Sequence, residues 1–174
     1  AYVTRMSLAK VGEAAHRHPN TVILAADTAV VLDEAILGKP RTAGEAAGTL
    51  RSLRARTHRV VTGVAVLDAR SGDSHTSARS SNVSLRRYSD QEVAAYVDSG
   101  EPFDKAGSYA VQDPRFRPAR RVEGCYLNVV GLPLCEVVEM LRRFGIHAPT
   151  KAEWRPPAEC LQCPFRPPHE ASRS

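Results

Sequence analysis

The chain has 174 residues and a mass of 18.9 kDa, and its 43% of hydrophobic residues exclude a chain that is disordered throughout. Its net charge of +5 favours an anionic partner, but the arginines are scattered along the chain, so we expect a small phosphorylated ligand and no specific nucleic acid. Four cysteines are too few for a secreted disulfide framework and no apolar run reaches the roughly 18 residues of a membrane span, so we expect a cytoplasmic protein without a membrane partner.

The first elements in chain order are a helix and two strands. Apolar residues at helical spacing predict a helix over residues 7–18. The run of branched apolar residues over 21–32 is too short and too uniformly apolar for a surface helix, and it predicts a central strand. Asp33 and Glu34 then predict a turn into a short return strand that ends at Gly38.

Two capping boxes predict the next helices. Thr42 with Glu45, and Ser89 with Glu92, have the spacing at which a hydroxyl and a carboxylate each accept a hydrogen bond from a free backbone N–H. Both pairs precede apolar residues at helical spacing, so we expect each helix to bury one face. The residues predicted to be buried are Ala46, Leu50, Leu53, Val93, Tyr96 and Val97.

Extended segments and a final helix complete the predicted domain. Residues 58–68 and 74–88 flank a turn-rich stretch and predict a hairpin. Residues 106–113 and 120–131 predict two further extended segments, separated by a loop rich in proline and arginine. Pro133 is suited to the first turn of a last helix. Because strands and helices alternate imperfectly, the sequence predicts a mixed α/β domain.

The segment 149–174 differs from the rest of the chain. It contains six prolines and little periodicity, so we expect a disordered tail after a domain that spans residues 1–148. Cys160 and Cys163 form a CxxC pair that could chelate zinc, and His169 could add a third ligand. A closed zinc site needs a fourth ligand that the tail does not clearly offer, so a zinc site and an incidental tail both stay open.

Asp27 and Lys39 are the first candidate functional residues. A buried, unpaired carboxylate is costly, so we expect Asp27 to emerge at a strand end, to face a cleft or to bind a cation. A turn aspartate or a helix N-cap is the alternative. Lys39 lies between Gly38 and Pro40, which restrict the backbone and could orient its ammonium group toward a phosphate. The same tripeptide also occurs by chance in turns, and the chain has no P-loop motif.

Further candidates lie in two later segments. Asp104 and Lys105 precede small residues that allow a close approach of backbone to a ligand, although such a pair also fits a solvated loop. Gln112 carries a donor and an acceptor, which suits the edge of a base. Arg56, His58 and Thr62 fall in one short window. A lone histidine of this kind is more often structural than catalytic.

Five segments, in this order and at compatible spacing, resemble the successive signature segments of the Maf family of nucleoside triphosphate pyrophosphatases. The similarity covers roughly residues 1–147. It implies a mixed α/β fold with an elongated, bent central sheet flanked by helices and a cleft between two lobes, as in Maf and Ham1-like proteins. It also implies cleavage of a nucleoside triphosphate to the monophosphate and pyrophosphate with Mg²⁺ or Mn²⁺, and it leaves a homodimer open. The five segments are ADTAVVL, ILGKP, RTHRVVTGVAV, GEPFDKAGSYAVQ and VEGCYLNVVGLPL.

The resemblance assigns roles to individual residues. It makes Asp27 the group that activates water, directly or by holding the metal ion, and it places Lys39 and Lys105 near the triphosphate. Thr28 matches the members that act on dTTP and UTP, whereas a sister subgroup has glutamine there. Gln112 falls on the second specificity position, and we expect it and Thr28 to favour thymine and uracil over purines. The expected substrate-binding residues are Thr28, Lys39, Arg56, Asp104, Lys105 and Gln112.

The sequence departs from the family pattern in three places. Family members open with a strand and an S-x-S-P-R-R loop that holds phosphates, and this sequence contains no such segment, so we expect the N-terminal part of the domain to be incomplete. The usual SGR before Thr-His is RAR at 54–56, and Asp113 replaces the usual glycine. We therefore expect a pyrophosphatase that acts on dTTP, UTP or modified pyrimidine nucleotides, and the alternative is a non-catalytic nucleotide-binding or interaction protein derived from this fold.

Overall fold

The computed structural model describes residues 2–147, 157–160 and 163. In these residues one sheet is flanked by helices, which confirms the predicted mixed α/β class. The sheet has five strands in the order β2-β1-β3-β4-β5, and all four pairings are antiparallel. The strands are β1 (Val22–Leu32), β2 (Ala35–Leu37), β3 (Thr57–Asp68), β4 (Ser74–Leu85) and β5 (Ala119–Glu123).

The helices cover both faces of this sheet. Three short 3₁₀ helices span Glu101–Asp104, Ala106–Ser108 and Ala158–Cys160. In the described part of the chain, every helix is too short or too polar to span a bilayer. The α-helices are α1 (Tyr2–Arg17), α2 (Ala43–Leu53), α3 (Asp90–Asp98), α4 (Tyr126–Val130) and α5 (Leu134–Arg143).

The two predicted capping boxes differ in the structure. At α3 the box is complete, because Ser89 Oγ accepts from the Glu92 N–H at 3.2 Å and the Glu92 carboxylate accepts from the Ser89 N–H at 2.7 Å. At α2 only half of it forms. Thr42 Oγ1 accepts from the Glu45 N–H at 3.1 Å, but the Glu45 carboxylate accepts from the Arg41 N–H at 2.8 Å. The Arg41 side chain pairs with the same carboxylate, which draws it one residue further back.

Two groups of buried residues cover one face of the sheet. Near α2 and α3 the core is built from apolar side chains of β1, β3 and β4 together with Tyr88, Tyr96 and Phe116. Near α5 a smaller group contains Val64, Val66, Val137 and Met140. The six residues predicted to be buried under α2 and α3 are all buried.

Helix α1 packs on the opposite face of the sheet, and it begins five residues earlier than predicted. Val3, Ser7 and Val11 form its buried side. The helix backbone lies directly over Gly63 of β3, where an added Cβ would come within 2.5 Å of the Val3 carbonyl carbon. Such a distance is shorter than van der Waals contact allows, so only glycine permits α1 to lie this close to β3.

Two predicted extended segments were wrong in part. Residues 106–113 form a 3₁₀ turn and a loop, because Gly107 and Ser108 both have positive φ values, 72° and 62°, which reverse the chain. Of residues 120–131 only the first part is in β5. Cys125 then ends the extended conformation by capping α4, since its Sγ accepts from the Asn128 N–H at 3.4 Å.

The predicted hairpin is present as β3 and β4, and the last helix begins after Pro133, as expected. The chain after residue 147 lies mostly outside the described residues. The predicted domain boundary at residue 148 and the disorder of the tail therefore stay predictions.

Candidate active site

Asp27 lies in the middle of β1 and not at its end, which corrects the prediction. The register places it opposite Gly63, and β1 continues to Leu32. The strand accommodates the carboxylate because β2 pairs only with the last three residues of β1. Among the described strands, the edge of β1 over residues 22–29 is therefore open. The Asp27 side chain, 19% exposed, reaches a cleft at this edge.

Lys10 of α1 completes this edge of the cleft. Its Nζ donates to Asp27 Oδ1 at 2.6 Å and to the Ala26 carbonyl oxygen at 3.2 Å, so it binds the strand backbone as well as the carboxylate. Within the described residues no donor reaches Asp27 Oδ2, which leaves this oxygen available to a ligand. The sequence analysis missed Lys10, because a surface lysine on a helix gives no local signal of its distant partner.

Two loops bring Lys39 and Lys105 to the same cleft. Lys39 follows β2, and Lys105 separates two of the 3₁₀ helices. The loops are joined by the Gly107 N–H, which donates to the Gly38 carbonyl oxygen at 3.1 Å. Gly107 has a φ of 72°, and an added Cβ would lie 3.0–3.1 Å from the side chain of Val30. Glycine is therefore required for the contact that places the two lysines together.

We expect Gly107→Ala to lower the free energy of unfolding by about 2–4 kcal/mol, because it combines a left-handed backbone with a side-chain clash. The measurement is urea unfolding followed by circular dichroism. Gly72→Ala is the matched control, since Gly72 has a φ of 79° but nothing within 4 Å of an added Cβ. Equal losses in the two variants would show that the contact with Val30 does not constrain the loops.

Asp104 holds Lys105 in place. Its carboxylate accepts from Lys105 Nζ at 2.6 Å, and the Glu101 carbonyl oxygen accepts from the same nitrogen at 2.9 Å. The hydrogen bond from Lys105 lowers the pKa of Asp104. Partial burial alone would lower the pKa of Lys105, but the acceptors Asp104 and Glu101 raise it above its usual value. Lys105 therefore presents a fixed positive charge to the cleft.

The structure brings Thr28 and Gln112 to the cleft as well, but not Arg56. Thr28 follows Asp27 in β1, and its hydroxyl forms a 2.9 Å hydrogen bond with that of Thr62 across the strand pair. Gln112 is exposed at the border of the cleft.

The Arg56 guanidinium instead binds the carboxylate of Asp33 at 2.6 and 2.8 Å, outside the cleft. Six of the seven predicted catalytic and substrate-binding residues thus share one cleft: Asp27, Thr28, Lys39, Asp104, Lys105 and Gln112.

His58 is a buried structural residue. It is 3% exposed, and its Nε2 shares a 2.7 Å hydrogen bond with the hydroxyl of Tyr109, which borders the cleft. Burial lowers the pKa of His58 to about 4. The imidazole is therefore neutral near pH 7 and supports the position of the Tyr109 ring.

We expect the buried His58 to destabilise the fold in acid. In the unfolded chain the ring binds a proton near its usual pKa of 6.5, whereas in the folded chain it does so only near 4. Acidification from pH 7 to pH 5 therefore lowers the free energy of unfolding by about 2 kcal/mol. His58→Gln should remove this part of the pH dependence in urea unfolding, whereas His16→Gln, at an exposed position, should not. An unchanged pH dependence in His58→Gln would contradict the assignment.

The cysteines of the tail approach the domain. The Cys163 N–H donates to the Cys160 carbonyl oxygen at 3.2 Å, and the Cys163 thiol lies close to Cys125. Burial raises the pKa of Cys125 to about 11. Within the described residues, no group of three or more His, Cys, Asp or Glu side chains is arranged to hold a metal ion. His169 lies outside those residues, so the zinc site stays a prediction.

This chain resembles a known protein family and several named proteins over most of its length. A model of the Maf-like protein family matches residues 1–144. A protein named dTTP/UTP pyrophosphatase from Dehalococcoides mccartyi (strain CBDB1) is 40% identical over 154 residues, which cover 88% of this chain and 69% of the relative. Proteins of the same name from Thermomicrobium roseum and Syntrophotalea carbinolica are 44% and 46% identical, over 92% and 83% of this chain and 72% and 66% of the relatives.

Proposed function

The chain belongs to the Maf-like protein family, and from this we propose that it is a nucleoside triphosphate pyrophosphatase that hydrolyses dTTP and UTP to the monophosphate and pyrophosphate. The observation that carries the proposal is the composition of the cleft. A carboxylate with a free oxygen, Asp27, shares it with two lysines on joined loops, Lys39 and Lys105. Thr28 and Gln112 add neutral polar groups that suit a base.

In the proposed reaction, water attacks the α-phosphorus and the bond to the oxygen that bridges the α- and β-phosphates breaks. Asp27 accepts the proton of the attacking water, which is the role of a general base. Lys39 and Lys105 balance the negative charge that grows on the departing pyrophosphate. Lys105 is suited to this role because Asp104 and Glu101 hold its ammonium group in one position before the substrate binds.

A divalent cation, Mg²⁺ or Mn²⁺, is part of the proposal. Mg²⁺ is commonly held by one or two carboxylates together with substrate phosphates, and Asp27 Oδ2 would be one such ligand if Asp27 activates the water by holding the metal ion and not as the general base. When bound, the ion would neutralise phosphate charge and lower the pKa of a bound water.

The test is to identify the products of each nucleoside triphosphate by ion-exchange chromatography with Mg²⁺ or Mn²⁺ present. We expect dTMP or UMP plus pyrophosphate, no turnover after chelation of the metal, and higher kcat/KM for dTTP and UTP than for ATP and GTP. Orthophosphate plus a diphosphate would place the attack at the γ-phosphorus and would contradict the proposal. Binding of dTTP by calorimetry without turnover would favour the non-catalytic alternative.

A further inference from the structure

We infer that Thr62 and Asn128 fix the Thr28 hydroxyl as a hydrogen-bond acceptor toward the cleft, so that the site selects a base that carries a hydrogen on N3. Uracil and thymine have this N3–H, whereas N3 of cytosine is an acceptor. The inference rests on the proposed function, because it concerns how the same cleft recognises its nucleotide. Thr62 and Asn128 are fully buried and act through Thr28, so they are positioning residues.

The amide of Asn128 has only one possible orientation. Its Nδ2 donates to the Val60 carbonyl oxygen at 3.0 Å and to Ser81 Oγ at 2.9 Å, and its Oδ1 accepts from the Thr62 N–H at 3.1 Å. A carbonyl oxygen can only accept and a backbone N–H can only donate, so exchanging the amide oxygen and nitrogen would break two of these bonds. Asn128 is therefore held at both its side chain and, through α4, its backbone.

The position of Asn128 determines the direction of the next hydrogen bond. Thr62 Oγ1 lies 2.8 Å from the Asn128 carbonyl oxygen, which can only accept. The single hydroxyl hydrogen of Thr62 is therefore donated to Asn128. In its 2.9 Å contact with Thr28 Oγ1, Thr62 must then accept, and Thr28 must donate. Thr28 and Thr62 are direct partners in the register of β1 and β3, so the contact is set by the sheet itself.

Once Thr28 has donated its hydrogen to Thr62, only lone pairs remain for a ligand in the cleft. A ligand atom that meets this oxygen must bring its own hydrogen, or two acceptors face each other. The N3–H of uracil and thymine satisfies the requirement. Unprotonated N3 of cytosine and N3-methylated thymine do not. A free threonine hydroxyl can donate or accept. The buried hydrogen bonds from Thr28 to Thr62 and from Thr62 to Asn128, here called the relay, leave the Thr28 hydroxyl able only to accept from a ligand.

The test compares kcat/KM for dTTP, dCTP and N3-methyl-dTTP in the wild type, Thr62→Val and Thr62→Ser. In the wild type we expect dTTP to exceed both other nucleotides by about tenfold to a hundredfold, mainly through KM. Thr62→Val removes the acceptor and frees the Thr28 hydrogen to donate to cytosine N3, so the ratio of dTTP to dCTP should fall about tenfold. Thr62→Ser keeps the hydroxyl and should retain the wild-type ratio.

The outcomes separate the relay from simpler explanations. A steric effect of the N3-methyl group would be the same in Thr62→Val, and damage to the fold would lower kcat for both natural nucleotides alike. An unchanged ratio of dTTP to dCTP in folded Thr62→Val overturns the inference. If that variant does not fold, equal kcat/KM of the wild type for dTTP and N3-methyl-dTTP overturns it. If the wild type hydrolyses no dTTP, the proposed function fails, and calorimetry with dTMP and N3-methyl-dTMP decides the inference by itself.

Discussion

Replacing Asp27 with asparagine should lower kcat for dTTP by roughly 10²–10⁴-fold, the usual contribution of a general base. Asparagine has nearly the same size and still offers an oxygen to Lys10, which donates to Oδ1 at 2.6 Å. It does not accept a proton from water, and it is a poorer ligand for a divalent cation. The loss is therefore expected in the chemical step, and it is measured by steady-state kinetics with saturating metal.

The same variant should keep its stability. Asp27 lies at an open strand edge, and its partner Lys10 is 49% exposed, so the ion pair contributes at most about 1 kcal/mol. A purely structural aspartate would give the opposite pattern, a lower melting temperature with nearly normal kcat. Asp33→Asn is the control, because Asp33 also forms an ion pair with a basic side chain, Arg56, but lies outside the cleft. A folded Asp27→Asn enzyme with undiminished turnover would remove Asp27 from the mechanism.

The elements that the sequence predicts best depend on local signals. The hairpin of β3 and β4 and the capping box of α3 follow from residues that are close in the chain, and both form as expected. Residues 106–113 lack such a signal. Their backbone groups are satisfied by distant partners, since the Gly107 N–H donates to Gly38 and the Ala110 N–H donates to the Tyr96 hydroxyl at 3.1 Å. The turn therefore satisfies these backbone groups as well as a strand would.

The candidate site shows the same limit. The position of Asp27 could not be predicted, because an apolar run indicates a strand but not which part of its edge remains unpaired. Lys10 and Asn128 could not be found either. Lys10 reaches Asp27 across 17 positions of sequence, and Asn128 reaches Thr62 across 66. Asp27, Lys39 and Lys105 were candidates from their residue types and neighbours, and the family resemblance added the prediction that they act together on one triphosphate.

Replacing either cleft lysine with glutamine should lower kcat/KM for dTTP by roughly 10²–10³-fold, the usual cost of losing a group that stabilises developing negative charge. Glutamine is one atom shorter than lysine and keeps a polar end, but it lacks the positive charge. Lys105 is held by Asp104, whereas Lys39 forms no ion pair among the described residues and is the more exposed of the two. Asp104→Asn should therefore weaken the contribution of Lys105 more than that of Lys39, with which Asp104 has only a weaker electrostatic interaction.

Product inhibition distinguishes a role at the phosphates from a general loss of activity. If Lys39 and Lys105 contact the departing pyrophosphate, Lys39→Gln and Lys105→Gln should weaken inhibition by pyrophosphate, while inhibition by dTMP should change little. Arg41→Gln is the matched control, because Arg41 is close to Lys39 in the chain but pairs with Glu45 outside the cleft. Wild-type inhibition by pyrophosphate in both lysine variants would contradict the assignment. A parallel loss of dTMP inhibition would instead show that the loops joined by Gly107 and Gly38 have moved.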